Sequence, residues 1–194
     1  MYKVGMTGGI GSGKSTLCER FSSLGVSVYL SDERAKALMN TNDKLIMEIK
    51  NIFGDEAYTL GELNRALIAE LVFKDKKKLA ELNAVVHPAV LEDFNAWAEA
   101  QTSRYVILES AILVESGFYA HMDACVGVIS DKELRIERVI SRDNCTREQV
   151  LSRLAAQMPE EEMIKFCDYT ISNNLGDELD EQVAYLDKIF SNEA

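Results

Sequence analysis

A glycine-rich segment near the start of the chain has the residue types and spacing of a phosphate-binding loop. Residues 8–15 read G-G-I-G-S-G-K-S, which fits the pattern G-x-x-x-x-G-K-S without a gap. Glycines allow backbone N–H groups to turn inward around phosphate oxygens, which larger side chains would obstruct. We therefore expect a nucleoside-triphosphate site formed by Gly8, Gly9, Ile10, Gly11, Ser12, Gly13, Lys14, Ser15 and Thr16.

Two side chains of this loop have specific expected roles. Lys14 is expected to reach the β- and γ-phosphates, and Ser15 is expected to ligate Mg²⁺. A helix that begins near Lys14 adds the positive end of its dipole to the same place. The dinucleotide pattern G-x-G-x-x-G is absent, because Lys14 stands where that pattern has glycine.

The elements that must position this loop alternate between short apolar strands and amphipathic helices. This alternation predicts a parallel sheet that is covered by helices on both faces. The predicted fold class is therefore α/β, with three layers. Five strands are predicted, at residues 2–7, 26–30, 105–108, 124–129 and 169–171.

Residues 43–102 contain no convincing strand and are predicted to form a helical insertion that binds substrate. Its last helix, at about 76–100, is predicted to be interrupted near Pro88, because proline removes a helical donor. Residues 132–166 are predicted to form a helical lid. The remaining core of this single domain comprises residues 1–42, 103–131 and 167–194.

Charge and composition restrict the class of partner. The chain has 32 Asp and Glu against 21 Lys and Arg, a net charge of −11, whereas nucleic-acid binding needs a basic face. No apolar run approaches the ~18 residues of a membrane span, and no export signal is apparent. These features predict a cytoplasmic protein that binds neither nucleic acid nor membrane. Buried free thiols are expected at Cys18, Cys125, Cys145 and Cys167.

The phosphate loop alone does not identify the phosphorylated molecule. A GTPase would need an N-K-x-D guanine-binding motif, and the chain has none. The strand that would carry the acidic Mg²⁺ ligand of a motor ATPase ends at Glu109, which is compatible with that class but not diagnostic. The small size and the helical insertion favour a small-molecule kinase.

A set of short motifs follows the phosphate loop in order along essentially the whole chain. After M-T-G-G-I-G-S-G-K-S-T at 6–16 come S-D-x-x-A-K at 31–36, L-N-R at 63–65 with V-F at 72–73, H-P at 87–88, I-L-V-E at 112–115, R-x-x-x-R at 138–142, Q-M-P at 157–159 and D-Y-x-I-x-N at 168–173. The loop and this ordered set resemble the dephospho-CoA kinase family. The loop is generic, but the ordered set is specific.

The resemblance implies a P-loop NTPase fold and transfer of the γ-phosphoryl group of ATP to the ribose 3′-hydroxyl of dephospho-CoA, the final step of coenzyme A synthesis. ATP, Mg²⁺ and dephospho-CoA are the implied ligands. Asp32 is expected to orient and deprotonate the hydroxyl, although its position alone favours a helix cap. The chain departs from the family pattern at Leu30, which replaces the first acid of D-A-D, and at Ala111, which replaces a proline.

Three arginines share one face of the predicted lid helix. Arg135, Arg138 and Arg142 are spaced i, i+3 and i+7. The resemblance assigns Arg138 and Arg142 to the charge of the transferring phosphoryl group. Stacking on adenine is an alternative role for Arg142, and Arg135 is expected on a solvated face.

The remaining site residues rest on the resemblance. Arg65 is expected to contact substrate phosphates, with a surface salt bridge as the alternative. His87 is a candidate substrate contact or a buried structural histidine, and Asn173 is expected to line the adenine pocket. Two other functions stay open: a kinase for nucleosides, nucleotides or sugars, and a non-catalytic regulator that binds NTP. A monomer or small homo-oligomer is expected.

Overall fold

The computed structural model describes all 194 residues as two compact units. The sheet unit comprises Met1–Leu30 and Ala98–Ala194, and the helical unit comprises Ser31–Trp97. No helix in the chain combines the length and the apolar character needed to cross a membrane.

Five parallel strands form the sheet that carries the phosphate loop. Their order is β2-β5-β1-β6-β7, so β1 lies at the centre and the loop that follows it opens at the middle of the sheet edge. The predicted α/β class is thereby confirmed. In chain order the strands are β1 (Tyr2–Thr7), β2 (Ser27–Leu30), β3 (Tyr58–Thr59), β4 (Glu62–Leu63), β5 (Tyr105–Glu109), β6 (Ala124–Ile129) and β7 (Tyr169–Ser172).

The chain has nine α-helices, with short 3₁₀ turns between some of them. They are α1 (Lys14–Ser23), α2 (Ser31–Thr41), α3 (Asp43–Phe53), α4 (Arg65–Lys74), α5 (Lys76–Glu99), α6 (Lys132–Asp143), α7 (Arg147–Ala155), α8 (Glu160–Met163) and α9 (Leu179–Glu193). The region expected to be a lid therefore contains α6, α7 and α8.

One face of the sheet packs against α1 and α9. Leu17 and Phe21 of α1 are fully buried there, as is Phe190 of α9. The Phe190 ring meets the rings of Tyr105 and Tyr169 edge-on, each with centroids 5.5 Å apart. Burial of one such side chain contributes about 1.5–3 kcal/mol, so these contacts fix both helices against the strands.

Helix α1 also buries Cys18 against the central strand. The Sγ atom of Cys18 donates to the Sδ atom of Met6 on β1 over 3.7 Å. Burial raises the pKa of this thiol to about 12. All four cysteines are free, as expected, but only Cys18 and Cys125 are buried, whereas Cys145 and Cys167 are partly exposed.

The helical unit differs from the sequence prediction in two places. Helix α5 runs without a break through Pro88, so the expected interruption was wrong. Pro88 removes only one donor, and Ala84, whose carbonyl loses that partner, is exposed to water. The short antiparallel pair β3–β4 was not predicted, because two-residue strands are too short to show periodicity. Leu60 and Gly61 turn between these strands with φ of 53° and 86°.

Candidate active site

The phosphate loop joins the central strand β1 to helix α1, as its sequence predicts. Gly11 and Gly13 have φ of 79° and 97°, a left-handed conformation that favours glycine. Gly13 immediately precedes α1 and offers no side-chain cap, so the first N–H groups of the helix face the loop. The start of α1 therefore suits an anion.

Lys14 folds back over the loop that precedes it. Its Nζ atom donates to the carbonyl oxygen of Gly8 over 2.8 Å and lies 3.6 Å from a carboxylate oxygen of Glu109. Glu109 ends β5 and pairs in register with Met6 of β1. An acid thus lies beside the loop lysine at the carboxyl edge of the sheet.

Asn173 connects the loop to helix α6. Its Nδ2 atom donates to the carbonyl oxygen of Ser12 over 2.8 Å, and its Oδ1 atom accepts from Arg138 over 3.4 Å. Arg138 also donates to the hydroxyl of Ser130 over 3.2 Å. Asn173 is buried, so its amide is committed to the protein. The structure therefore brings both Arg138 and Asn173 to the loop.

Arg135 is not on a solvated face, and the expectation that it would be was wrong. Only 8% of the residue is exposed. Its Nε atom donates to the carbonyl oxygen of Ile10 over 3.1 Å, and its Nη1 atom pairs with Glu160 over 3.1 Å. Burial lowers the pKa of Arg135, and Glu160 opposes that shift. The phosphate loop packs on this part of α6 and excludes water from it.

Gln157 is a second loop contact to which sequence reasoning assigned no role. Its Oε1 atom accepts from the backbone N–H of Ile10 over 2.8 Å. The residue after it, Met158, donates its N–H to Glu115 over 3.2 Å. The Q-M-P motif marked this position, but a motif does not say which backbone group its glutamine meets.

A small cleft opens beside the loop between these side chains. Its lining combines loop backbone with the oppositely charged side chains of Arg135 and Glu160 and with several apolar residues. The lining residues are Gly8, Gly9, Ala111, Glu115, Arg135, Gln157, Met158, Glu160 and Met163.

Arg142 lies near the end of α6, where it is exposed and bonded to a neighbour. Its Nε atom donates to Asp143 over 2.7 Å. Arg153 of α7 donates to the same carboxylate over 2.8 Å. The hydrogen bond from Arg142, together with the one from Arg153, lowers the pKa of Asp143. Arg142 is therefore held by a surface ion pair and not by the loop.

Ser15 and Thr16 lie in the first turn of α1, and both are exposed. The Ser15 hydroxyl is thus accessible at the end of the loop where the helix begins. Together with the carboxylate of Glu109 it provides oxygen donors, the type that Mg²⁺ prefers. These residues fit the group that the loop motif implies.

Three expected substrate residues belong to the helical unit. Asp32 is exposed in the first turn of α2, directly after the buried Ser31. Arg65 is exposed at the first position of α4, whose cap Asn64 accepts from the N–H of Leu67 over 3.2 Å. His87 is half-buried in α5, and burial lowers the pKa of its imidazole.

The central loop, the strand order and the flanking helices define a P-loop kinase. A family model described as dephospho-CoA kinase matches residues 2–178, and the chain belongs to this family. The resemblance drawn from the motifs is confirmed.

Individual relatives agree with the family match. The chain is 38% identical over 173 residues to a dephospho-CoA kinase of Bacteroides fragilis, covering 89% of this chain and 84% of that protein. A solved structure from Thermus thermophilus has a TM-score of 0.84 and 34% identity, covering 100% of this chain and 98% of the other. A dephospho-CoA kinase structure from Campylobacter jejuni has the same fold, with a TM-score of 0.70, 24% identity and 98% coverage of both chains.

Proposed function

We propose that this chain transfers the γ-phosphoryl group of ATP to the ribose 3′-hydroxyl of dephospho-CoA, giving coenzyme A and ADP. The match to the dephospho-CoA kinase family over residues 2–178 carries this proposal. The phosphate loop and the side chains around it support it independently, because they fit the ATP half of the reaction.

The loop binds the triphosphate through backbone N–H groups and Lys14. When ATP binds, Lys14 exchanges its contacts with the Gly8 carbonyl and the Glu109 carboxylate for contacts with phosphate oxygens. The triphosphate carries more negative charge than those two groups. During transfer the substrate O–H and the bond from the γ-phosphorus to the ADP oxygen break, and the new O–P bond forms. Positioning and charge neutralisation supply most of the catalysis in such reactions.

Ser15 and Glu109 are the residues that would hold Mg²⁺. When bound, the ion neutralises charge shared between the β- and γ-phosphates. Glu109 lies 3.6 Å from Lys14, so the carboxylate that would bind the metal also lies beside the loop lysine. The oxygen donors of both residues support this assignment.

Asp32 is proposed as the base that accepts the proton of the 3′-hydroxyl. It comes two residues after Leu30, the last residue of β2, and is exposed at the start of α2. In parallel α/β folds, ligands lie beyond the carboxyl ends of the strands. Leu30 cannot supply a second acid, so Asp32 alone provides the carboxylate of this motif.

Arginines supply the remaining positive charge in this proposal. Arg138, held beside the loop by Asn173 and Ser130, stabilises the transferring phosphoryl group. Arg142 leaves its surface pair with Asp143 to contact the phosphates or the adenine. Arg65 and His87 contact the acceptor, within the proposed substrate-binding insertion of residues 43–102.

The proposed setting is the cytoplasm, with the chain acting as a monomer or small homo-oligomer. Four free thiols suit a reducing compartment. The net charge of −11 supports a small-molecule acceptor over nucleic acid.

The direct test is incubation of the protein with Mg-ATP and dephospho-CoA, followed by mass spectrometry of the acceptor. The proposal expects a product one phosphate group heavier, with the phosphate at the ribose 3′ position. Parallel reactions contain nucleoside monophosphates. Phosphorylation of those alone would assign another kinase specificity, and ATP binding without acceptor-dependent ADP release would assign a regulator.

A further inference from the structure

We propose that Arg135 and Gln157 are positioning residues that hold the phosphate loop in its binding conformation by hydrogen-bonding the two peptide groups that flank Ile10. We call this pair of contacts the Ile10 grip. The catalytic consequence of these contacts rests on the proposed function. Their effect on ATP affinity can be measured without any acceptor. Neither side chain is proposed to take part in the chemistry.

The grip acts on two successive peptide groups. Gln157 accepts the N–H of Ile10 over 2.8 Å, and Arg135 donates to the C=O of Ile10 over 3.1 Å. One contact comes from the segment after α7 and the other from α6. Together they fix the two peptide planes on either side of the Ile10 Cα atom, in the middle of the loop.

The environment of Gly9 is a second observation that fits the position of the Arg135 guanidinium beside the loop. Gly9 does not have the positive φ of Gly11 and Gly13, so its backbone conformation does not require glycine. A Cβ atom on Gly9 would lie 1.9 Å from Nη2 and 2.8 Å from Cζ of Arg135. The missing side chain makes room for the arginine.

The guanidinium has little freedom to move aside. It is pinned by the Ile10 carbonyl on one edge and by Glu160 on another, and the residue is 8% exposed. Moving the guanidinium away from Glu160 would leave a largely buried positive charge without its counter-charge, although Glu160 itself is one-third exposed. The close approach of the Arg135 guanidinium to Gly9 therefore limits the positions of both the loop and α6.

The orientation of the Ile10 peptides matters for phosphate binding. A carbonyl oxygen turned toward the phosphates would repel them, and Arg135 draws this one to α6. A loop already held in one conformation loses less conformational freedom when the triphosphate binds, which raises its affinity. The grip therefore stabilises the binding conformation before nucleotide arrives.

The first test replaces Gln157 by methionine, which has similar volume and no comparable acceptor. We expect the Kd for ATP, measured by calorimetry, to rise about fivefold, the equivalent of one net hydrogen bond. The KM for dephospho-CoA should stay unchanged. Gln149→Met is the matched control, because Gln149 caps α7 within the lid and does not contact the loop. ATP affinity in Gln157→Met equal to that of the wild type would overturn the proposal.

The second test is a double-mutant cycle between Gly9→Ala and Arg135→Met. Gly9→Ala alone should weaken ATP about tenfold, because its methyl group displaces the pinned guanidinium. In the Arg135→Met background the same change should have little further effect. Additive losses, or a Gly9→Ala variant that binds like the wild type, would contradict the shared constraint. If Arg135→Met fails to fold, Gly9→Ala and Gln157→Met still decide the question.

The two proposals fail in different ways. A wild-type protein that binds ATP but leaves dephospho-CoA unmodified would refute the proposed function. The grip on Ile10 would then still be measured through ATP affinity. Normal phosphorylation of dephospho-CoA with unchanged ATP affinity in Gln157→Met would refute only the grip.

Discussion

The Nζ atom of Lys14 lies 3.6 Å from the carboxylate of Glu109, and only 10% and 15% of these two side chains are exposed. The pair holds the loop lysine over its own backbone, close to where a triphosphate would need it. Water screens such a shielded pair less than a surface pair. Glu109 is therefore a local counter-charge for the loop lysine.

Replacing Lys14 by methionine should lower kcat/KM for ATP by at least about 100-fold, because a positioned charge at developing phosphoryl charge is worth that much. Lys188→Met, at an exposed position on α9, is the control for loss of one positive charge. A steady-state assay with saturating acceptor measures both. A Lys14→Met variant with near-normal kcat/KM would exclude the lysine from transfer.

Asp32→Asn should reduce turnover by roughly 10²- to 10⁴-fold, the usual contribution of a positioned general base. The Kd for ATP should stay the same, since the loop is intact. Glu33→Gln is a matched control, because it also removes an exposed acid from the first turn of α2. If both variants lose activity equally, the effect comes from helix charge and not from proton transfer.

Arg142 and Arg153 allow a paired comparison, because both are exposed and both bond to Asp143. Alanine at either position should change the free energy of unfolding by less than about 1 kcal/mol, as is usual for surface ion pairs. Only Arg142→Ala should raise the KM for ATP or lower kcat. Equal kinetics in the two variants would restrict Arg142 to its surface ion pair.

The phosphate loop and the sheet were predictable from sequence because local spacing determines both. The buried environment of Arg135 could not be predicted from sequence. Its i, i+3 spacing to Arg138 gives a shared helix face, but only tertiary packing decides whether that face meets water or Ile10. Gln157 was visible as part of a motif, yet its role depends on a backbone group almost 150 positions away in the chain.

Pro88 shows the opposite error, in which a local rule was applied too strictly. Proline removes one donor from a helix and its ring crowds the preceding turn, and this cost is lower where that turn is exposed, as Ala84 and Pro88 are. Helix α5 therefore continues through it. The rule describes an average helix interior, whereas the exposure at this site depends on the fold.

His87 should make stability depend on pH. Burial lowers the pKa of its imidazole below the ordinary 6.5. The unfolded chain then binds a proton more readily than the folded chain. The contribution of His87 is therefore fully present above that ordinary value and is lost as the pH falls toward the lowered folded pKa.

The measurement compares the melting temperatures of wild type and His87→Gln at about pH 7.5 and about pH 5.5. The wild type should lose more stability on acidification than the variant. His121→Gln, at an exposed position, should behave like the wild type. An acid-induced loss that is identical in wild type and His87→Gln would remove His87 as its source.

The buried contact between Cys18 and Met6 makes Cys18 a site at which chemical labelling can report on local opening of the fold. Burial raises the pKa of the Cys18 thiol to about 12, so almost none of it is ionised at neutral pH, and alkylating reagents need the thiolate. Modification at this sulfur must therefore wait for α1 to separate from β1. In a variant that keeps Cys18 as its sole cysteine, the labelling rate would report how often the phosphate loop and its helix open, and saturating ATP should slow it.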